Sequence, residues 1–202
     1  MVRILAASDI HSDHSLVKKL ANKAKKEKAD LVVLCGDLTM WGEDTSGIIG
    51  PFKEKNIEVL MIHGNHEDVS LTDFLSKKYG KGVYNIHTYY RQIGDVAIIG
   101  FGGSEMGMHG VNDDELFTTL KDRFKNIKAK KKILVTHEPP YDTALDNLGW
   151  TKTGSLGLRR FIEAYKPDYV LCGHIHETFG KSDKIKKTTI INAGRNGVIL
   201  DL

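Results

Sequence analysis

Cysteine and proline are scarce in this chain of 202 residues, which has two of the first and four of the second. One possible pair of cysteines cannot build the disulfide framework of a small secreted domain. Cys35 and Cys172 each lie in an apolar run one residue before a Gly, which favours buried strand ends over metal ligands. No apolar stretch approaches the ~20 residues needed to span a bilayer. Residues 1–5 lead straight into a strand-like run without a targeting segment, so we expect a cytoplasmic protein with no membrane partner.

The net charge is also small, because 29 lysines and arginines nearly balance 26 aspartates and glutamates to give +3. A nucleic-acid-binding protein usually carries a strongly basic surface, so there is no strong case for DNA or RNA as a partner. A length of 202 residues suits one α/β domain. No linker or change in composition divides the chain, and we predict a single domain over residues 1–202. The sequence leaves the oligomeric state open.

Polar residues follow strand-like apolar runs at the points where those runs end. The clearest example is the apolar run that stops at Gly64-Asn65-His66-Glu67. A structural turn needs the Gly, but it has no use for an imidazole and a carboxylate in succession. Ligands of open α/β sheets bind outside the carboxyl ends of the strands, so we expect the side chains at these tips to converge. The residues at the tips are Asp9, His11, Asp37, Asn65, His66, His137, His174 and His176.

Two carboxylates, one amide and five imidazoles are more ligands than one metal ion needs, and they are enough for two. Mixed His and carboxylate ligation favours Mn, Fe, Zn or Co, with Mn preferred here, over a hard ion such as Ca. In a strand, alternate residues point the same way, so Asp9 and His11 should face one side, as should His174 and His176. Asp37 is the natural bridge, because each of its oxygens can bind one ion. Two ions ~3.5–4 Å apart can hold a hydroxide that attacks a phosphoryl group in line.

The pairing of some strands can also be predicted. The runs at 83–93 and 96–101 flank Gly94-Asp95, which predicts an antiparallel hairpin. The runs at 188–192 and 198–202 flank a Gly-containing turn, which predicts a final pair of strands closing the sheet.

These residues, in this order, resemble the calcineurin-like metallophosphoesterase family. The family pattern is D-x-H, G-D, G-N-H-[DE], H and G-H-x-H. The chain has Asp9-Ile10-His11, Gly36-Asp37, Gly64-Asn65-His66-Glu67, His137 and Gly173-His174-Ile175-His176. The resemblance covers most of the chain, and it implies an α/β fold: a four-layer α/β/β/α sandwich in which two mixed β-sheets are flanked by helices.

The resemblance also implies a role for each block. One divalent ion would be held by Asp9, His11, Asp37 and His176, and a second by Asp37, Asn65, His137 and His174. His66 would act as the general acid toward the leaving group, since an imidazole can carry and release a proton near neutral pH. Asn65 and His66 would also contact the substrate. The implied reaction is hydrolysis of small phosphate esters, phosphodiesters more than monoesters, and a nucleotide is one candidate substrate.

Other members of the superfamily provide contrasts. Protein serine/threonine phosphatases carry G-D-x-x-D-R-G at the second block, whereas residues 36–42 here lack the second Asp and the Arg. The segments around His137 and His174 are more similar to small prokaryotic and archaeal phosphoesterases grouped with cyclic-nucleotide phosphodiesterases. An alternative is a catalytically silent scaffold of the same fold, but such a protein would have lost ligands or the acid His, and neither has occurred. A nuclease would need a basic groove, which the sequence does not indicate.

Several residues near the predicted site have two interpretations. Arg195 lies in a Gly-flanked turn and could contact a substrate phosphate or only shape that turn. Gly102-Gly103-Ser104 could offer backbone donors or form a simple turn. The role of Glu67 is open. Three loop aromatics could stack on a nucleobase or pack their own loops, and these are Trp41, Tyr141 and Trp150.

Four of the nine histidines lie outside the pattern, and they are interpreted as surface or core residues: His14, His63, His87 and His109. His14 is the closest of them in sequence to the predicted ligands.

Overall fold

The computed structural model describes residues 1–105 and 110–202. His109 therefore lies outside the described residues. Within the described part the chain forms helices and strands in the order β1 (Arg3–Ala7), α1 (His14–Lys26), β2 (Leu31–Cys35), α2 (Gly50–Lys53), β3 (Glu58–Ile62), α3 (Val69–Tyr79), β4 (Val83–Asn85), β5 (Tyr90–Ile93), β6 (Val96–Phe101), α4 (Asp113–Phe124), β7 (Lys131–Thr136), α5 (Leu156–Tyr165), β8 (Tyr169–Cys172), β9 (Ser182–Ile185), β10 (Thr188–Asn192) and β11 (Val198–Asp201), with a short 3-10 helix at His176–Thr178 before β9.

The strands form two mixed sheets. The first has the order β11-β1-β2-β3-β4 and the second the order β5-β6-β7-β8-β10-β9. The central strands of both sheets run parallel, so their carboxyl ends lie at one edge. The edge strands β11, β5 and β9 pair antiparallel to their neighbours.

The alternation of side chains in the strands explains the layers. In β2, Val32 and Leu34 pack under helices α1 to α3, whereas Leu31 and Val33 face the second sheet. A separate apolar cluster lies between the second sheet and helices α4 and α5. The predicted four-layer α/β/β/α sandwich is therefore confirmed.

The helices begin where short polar side chains can cap them. Asp13, Asp68, Asn112 and Ser155 each accept a hydrogen bond from a backbone N–H of the first turn that follows. Asp68 starts α3 directly after the polar block 64–67, so that block is fixed at both ends by regular structure. In the described part of the chain, no helix is both long enough and apolar enough to cross a bilayer.

The run at 83–93 was predicted to be one strand, and that prediction is wrong. Residues 83–85 form β4 in the first sheet, and residues 90–93 form β5 in the second. The crossing between them is made at Thr88, whose φ of 62° ends extended structure. The predicted hairpin at Gly94-Asp95 is confirmed, because β5 and β6 pair antiparallel.

The predicted final strand pair is also wrong. β10 pairs in the second sheet with β8 and with β9, a strand that was not predicted, whereas β11 pairs with β1 in the first sheet. The turn at 193–197 therefore passes from one sheet to the other instead of closing a hairpin. The apolar residues of β10 and β11 are compatible both with a hairpin and with strands in different sheets. In either case their apolar side chains can enter the core that the two sheets share.

Candidate metal centre

The predicted tip residues converge at the edge where the carboxyl ends of the parallel strands meet. Asp9 follows β1, Asp37 follows β2 and Asn65 follows β3 in the first sheet, whereas His137 follows β7 and His174 follows β8 in the second. The site is thus built by two sheets, and most of its polar residues are buried or partly buried.

Tight turns, not strand alternation, aim these side chains. Asp9, His11, Asp37 and His174 all have a left-handed backbone, with φ of 56°, 48°, 53° and 70°. Asp9 and His11 do bring their ligand atoms together as expected, but neither residue lies in a strand, and His174 and His176 belong to different ligand groups. Non-Gly residues in this region carry strain, and such residues cluster at functional sites because the surroundings hold them there.

Asp37 is fixed by the backbone of the loop after β3. Its Oδ1 accepts hydrogen bonds from the N–H groups of Asn65 and His66 at 2.9 and 3.0 Å. Gly64 makes this approach possible, because a Cβ at that position would lie 2.0 Å from Asp37 Oδ1. The Gly of this block therefore serves the carboxylate of another block.

Glu67, whose role the sequence left open, joins the loops after β2 and β3. Its carboxylate is 2% exposed and accepts hydrogen bonds from the backbone N–H groups of Gly64, Leu38 and Thr39 and from the Thr39 hydroxyl. Burial and the nearby Asp37 raise the pKa of Glu67, while the N–H donors oppose that rise. Glu67 holds the two loops that carry Asp37 and Asn65.

Side-chain ligand atoms come together in three overlapping groups within the described residues: Asp9 with His11 and His176, His11 with Asp37 and His66, and Asp37 with His137 and His174. In each group the potential ligand atoms lie within 4.8 Å of one another. The first and third groups are subsets of the two ligand sets implied by the sequence resemblance. Asp37 lies between them, with Oδ1 3.4 Å from His137 Nε2 and Oδ2 3.7 Å from His11 Nε2.

The donor atoms of the third group suit a cation. His137 donates its Nδ1–H to the carbonyl oxygen of Cys35 at 2.8 Å, so Nε2 is the nitrogen that faces the site. Nε2 lies 2.9 Å from Asn65 Oδ1 and near Asp37 Oδ1. A nitrogen lone pair facing two oxygen acceptors needs a positive centre among them, which a proton or a metal ion can supply.

The first group has the same character. Asp9 is fully buried, and its Oδ2 accepts a hydrogen bond from the backbone N–H of His174 at 3.1 Å. Its Oδ1 lies 3.4 Å from His176 Nε2 and has no hydrogen-bond partner in the described part of the chain. The residues of both groups therefore fit divalent ions of the kind that accept mixed His and carboxylate ligands.

The pKa values follow burial and charge. Burial lowers the pKa of His174 to about 4 and also lowers that of His11, which keeps both imidazoles neutral as metal ligation requires. Burial would lower the pKa of His137 as well, but Asp37 outweighs it and raises that pKa to about 10. Burial would raise the pKa of Asp37, and His137 lowers it below its ordinary value. Without a metal ion, His137 and Asp37 form a charged pair.

His66 belongs to the second ligand group and is partly exposed to solvent. Its Nε2 is 3.8 Å from Asp37 Oδ2, and its ring centre is 4.7 Å from that of His11. The centre of the Trp41 ring lies 4.2 Å from that of His66, and the two rings are inclined by 31°. His66 therefore lies close both to Asp37 and His11 and to the half-exposed ring of Trp41.

The remaining candidates are more dispersed. Arg195 donates to Asp13 Oδ2 at 2.7 Å and to the carbonyl oxygen of Asp9 at 3.2 Å. Tyr141 and Trp150 lie on the loop after β7, and the side chain of Trp150 is 85% exposed. His14 lies outside the three ligand groups and faces Asp44 at 3.2 Å.

Sequence reasoning did not identify Ser104, whose Oγ lies 3.5 Å from His174 Nε2. From the sequence, the Gly102-Gly103-Ser104 segment is expected to form a simple turn or to offer backbone donors, and neither interpretation involves the Ser104 side chain. The N–H of Gly103 is in fact used within the fold, since it donates to the carbonyl oxygen of His63 at 3.1 Å.

The sequence matches a family model described as calcineurin-like phosphoesterase over residues 2–178. An uncharacterized protein of Methanocaldococcus jannaschii is 30% identical over 204 residues, which cover 95% of this chain and 87% of that protein.

Solved structures share the fold. A protein of Thermus thermophilus superposes with a TM-score of 0.78 at 17% identity, over 96% of this chain and 90% of that chain. A protein described as a dimetal phosphatase from Danio rerio superposes with a TM-score of 0.67 at 11% identity, over 95% of this chain and 86% of that one. At such identities the likeness concerns the fold alone, and it agrees with two mixed sheets flanked by helices.

Proposed function

The chain belongs to the calcineurin-like phosphoesterase family, and from that premise we propose that it is a phosphoesterase dependent on two divalent ions, with phosphodiesters as its preferred substrates. The observation that carries this proposal is the position of Asp37. Its two oxygens face different ligand groups, Oδ1 toward His137 and Oδ2 toward His11. One carboxylate shared in this way is what a pair of ions requires.

We assign one ion to Asp9, His11, Asp37 and His176 and the other to Asp37, Asn65, His137 and His174. When bound, two divalent ions make water a stronger nucleophile and neutralise charge on the phosphoryl oxygens. The protein's part is to hold the ligands in place before the substrate arrives. Glu67 and the N–H groups of Asn65 and His66 do this for Asp37, through the contacts described above.

We assign the general acid role to His66. Its Nε2 lies on the side of the ring that faces Asp37, and from there a proton can pass to the leaving oxygen of an ester bound at the ligand groups. The ring is partly buried, and its centre lies 4.7 Å from that of His11 and 4.2 Å from that of Trp41. A phosphodiester carries two groups on phosphorus, and Trp41, whose ring lies against that of His66, is half exposed and available to contact one of them.

The test compares the protein with His66→Ala on aryl methyl phosphodiesters in the presence of Mn. We expect His66→Ala to lower kcat by about 10²–10⁴-fold while metal content stays at two ions per chain. The loss should shrink as the leaving phenol becomes more acidic, because an acidic phenol needs no proton. Equal rates in both proteins would remove the acid role.

A second variant tests the shared carboxylate. Asp37→Asn should reduce metal content, measured by mass spectrometry, together with activity. Asp44→Asn is the matched control, since Asp44 is exposed and contacts Ser46 and His14. A protein that stays free of metal after supplementation would instead support the scaffold alternative.

The single domain over residues 1–202, the cytoplasmic location and the preference for Mn remain proposals. Cys35 and Cys172 are free and buried, which is compatible with a reducing compartment.

A further inference from the structure

A pocket of about 270 Å³ has His66 in its lining. The loop after β2 forms one wall and the first two turns of α3 form the other. The side chains that define it are Trp41, His66, Asp68, Ser70, Leu71 and Phe74. None of the residues assigned to the two ions lines it, and His66 is the residue that this pocket shares with the three ligand groups.

Two exposed aromatic side chains face this space. Trp41 is 54% exposed and Phe74 is 51% exposed, although both are large apolar residues. Leaving such side chains in water is unfavourable, and adjacent exposed aromatics are typical of binding sites. The occupant that best covers them is a flat, apolar group.

Trp41 is positioned to act together with His66. Its ring lies against the face of the imidazole, 4.2 Å centre to centre and tilted by 31°. An imidazole gives up its proton in the plane of the ring, so a contact on the face leaves that path open. A group held against Trp41 therefore lies next to the proposed acid, where the leaving group must be.

The charges of the lining residues further restrict the kind of group that the pocket can bind. Two acidic residues, Glu67 and Asp68, are among the residues that line the pocket, and none of its described lining residues is a Lys or Arg. Glu67 is consumed by hydrogen bonds within the loops, and Asp68 accepts from the N–H of Leu71 and the hydroxyl of Ser70. Lys78 approaches the Phe74 ring at 5.6 Å but is not part of the lining. A leaving group that carries a negative charge would find no Lys or Arg among the described lining residues to offset that charge, so the pocket favours an uncharged one.

We propose that this pocket is the leaving-group subsite, and that Trp41, with Phe74, selects phosphodiesters whose leaving group is an uncharged aromatic or nucleobase-bearing alcohol. The proposal rests on the proposed phosphoesterase function and adds a substrate class to it. Trp41 is a specificity-determining residue here and takes no part in metal binding.

The test uses methyl phosphodiesters that differ only in the leaving group. One carries a phenol or naphthol and the other a fluorinated alkyl alcohol of matched acidity, so that the demand for a proton is the same. Trp41→Ala should lower kcat/KM for the aryl ester by about tenfold, in line with the worth of a stacking contact. The fluoroalkyl ester should change by less than about twofold on the same grounds. Trp41→Phe should restore most of the aryl preference.

Trp150→Ala is the matched control, since Trp150 is an exposed tryptophan that does not line the pocket. It should leave both rates unchanged. A third ester, in which the phenol carries a carboxylate in place of a carboxamide, should react more slowly than the carboxamide in the unaltered protein. Thermal melting confirms that each variant is folded.

The outcomes separate the two proposals. If the unaltered protein hydrolyses neither ester with added metal, the phosphoesterase function fails. If it hydrolyses both and Trp41→Ala affects them equally or not at all, the function stands and the leaving-group subsite is overturned. Equal rates for the carboxylate and carboxamide esters would overturn the selection for an uncharged group.

Discussion

His137 donates its Nδ1–H to the carbonyl oxygen of Cys35, the last residue of β2, at 2.8 Å. This hydrogen bond crosses from the second sheet to the first. It sets which ring nitrogen faces Asp37 and Asn65, and it ties the position of a ligand on one sheet to the end of a strand in the other. The packing of the two sheets therefore fixes the geometry of the metal centre.

The first prediction concerns metal stoichiometry. His137→Ala removes one ligand of the second ion and also the link to Cys35. We expect metal content after Mn loading to fall from two ions per chain to one, because the Asp9 group keeps its own ligands. Inductively coupled plasma mass spectrometry on the desalted protein measures this.

His14→Ala is the control for that experiment. His14 lies close to His11 in sequence, but it faces Asp44 and belongs to none of the three ligand groups. It should retain two ions. Loss of metal from both variants would show that the two ions are not assigned correctly.

The second prediction concerns the glycine that lets Asp37 approach. Gly64→Ala places a methyl group 2.0 Å from Asp37 Oδ1, so the loop or the carboxylate must move. We expect a loss of about 3 kcal/mol in the free energy of unfolding, measured with urea, and weaker metal binding.

Gly50→Ala is the matched control for this substitution. Gly50 begins α2, and the nearest atom to a Cβ there is Tyr79 Oη at 3.8 Å. Stability should stay within about 1 kcal/mol of the unaltered protein. If Gly64→Ala had the same stability and metal content as Gly50→Ala, the close approach of Gly64 to Asp37 would not be needed for folding or for metal binding.

The third prediction concerns Glu67. Replacing it by Ala leaves the N–H groups of Gly64, Leu38 and Thr39 without their buried acceptor. We expect Glu67→Ala to cost about 2–4 kcal/mol of unfolding free energy and to weaken metal binding, because Asp37 and Asn65 lie on the loops it joins. Urea unfolding with and without Mn separates the two effects.

Glu43→Ala provides the comparison, since Glu43 lies on the same loop as Thr39 but is exposed. Glu43→Ala should leave the free energy of unfolding and the metal affinity nearly unchanged. An equally small effect of Glu67→Ala would mean that water replaces the lost carboxylate. The loops after β2 and β3 would then keep their positions without Glu67.

The sequence predicted the convergence of the polar residues at the strand ends better than it predicted the pairing of the strands. Asp9, Asp37 and His137 each follow an apolar run that can only be a buried strand, and the carboxyl ends of parallel strands meet at one edge. The identity of the polar residues and their place after strands were therefore readable without coordinates. Their backbone conformation was not, because the left-handed φ of Asp9 and His174 is imposed by tertiary contacts.

Sheet membership was the main failure, and its cause is physical. β10 and β11 are both short apolar strands around a turn, and each buries residues in the core between the sheets. Nothing local distinguishes pairing with each other from pairing with β8 and β1. The role of Glu67 was hidden for a related reason, since its partners at Leu38 and Thr39 lie 29 and 28 residues away.

The last prediction concerns Arg195, for which the sequence left two roles open, a contact with a substrate phosphate and support of its own turn. Its guanidinium donates to Asp13 and to the carbonyl oxygen of Asp9, so its charge is partly neutralised and it supports the turn that carries a ligand. We expect Arg195→Ala to weaken binding of the ion at the Asp9 group by about tenfold, the worth of one lost charge-assisted hydrogen bond, with KM for a phosphodiester changed much less. Mn titration by calorimetry and steady-state kinetics at saturating Mn measure the two effects separately. Arg160→Ala, which breaks an exposed pair with Asp114, should change neither. A rise in KM at unchanged metal affinity would instead support the substrate contact, since a residue that only buttresses Asp9 cannot alter substrate binding once both ions are in place.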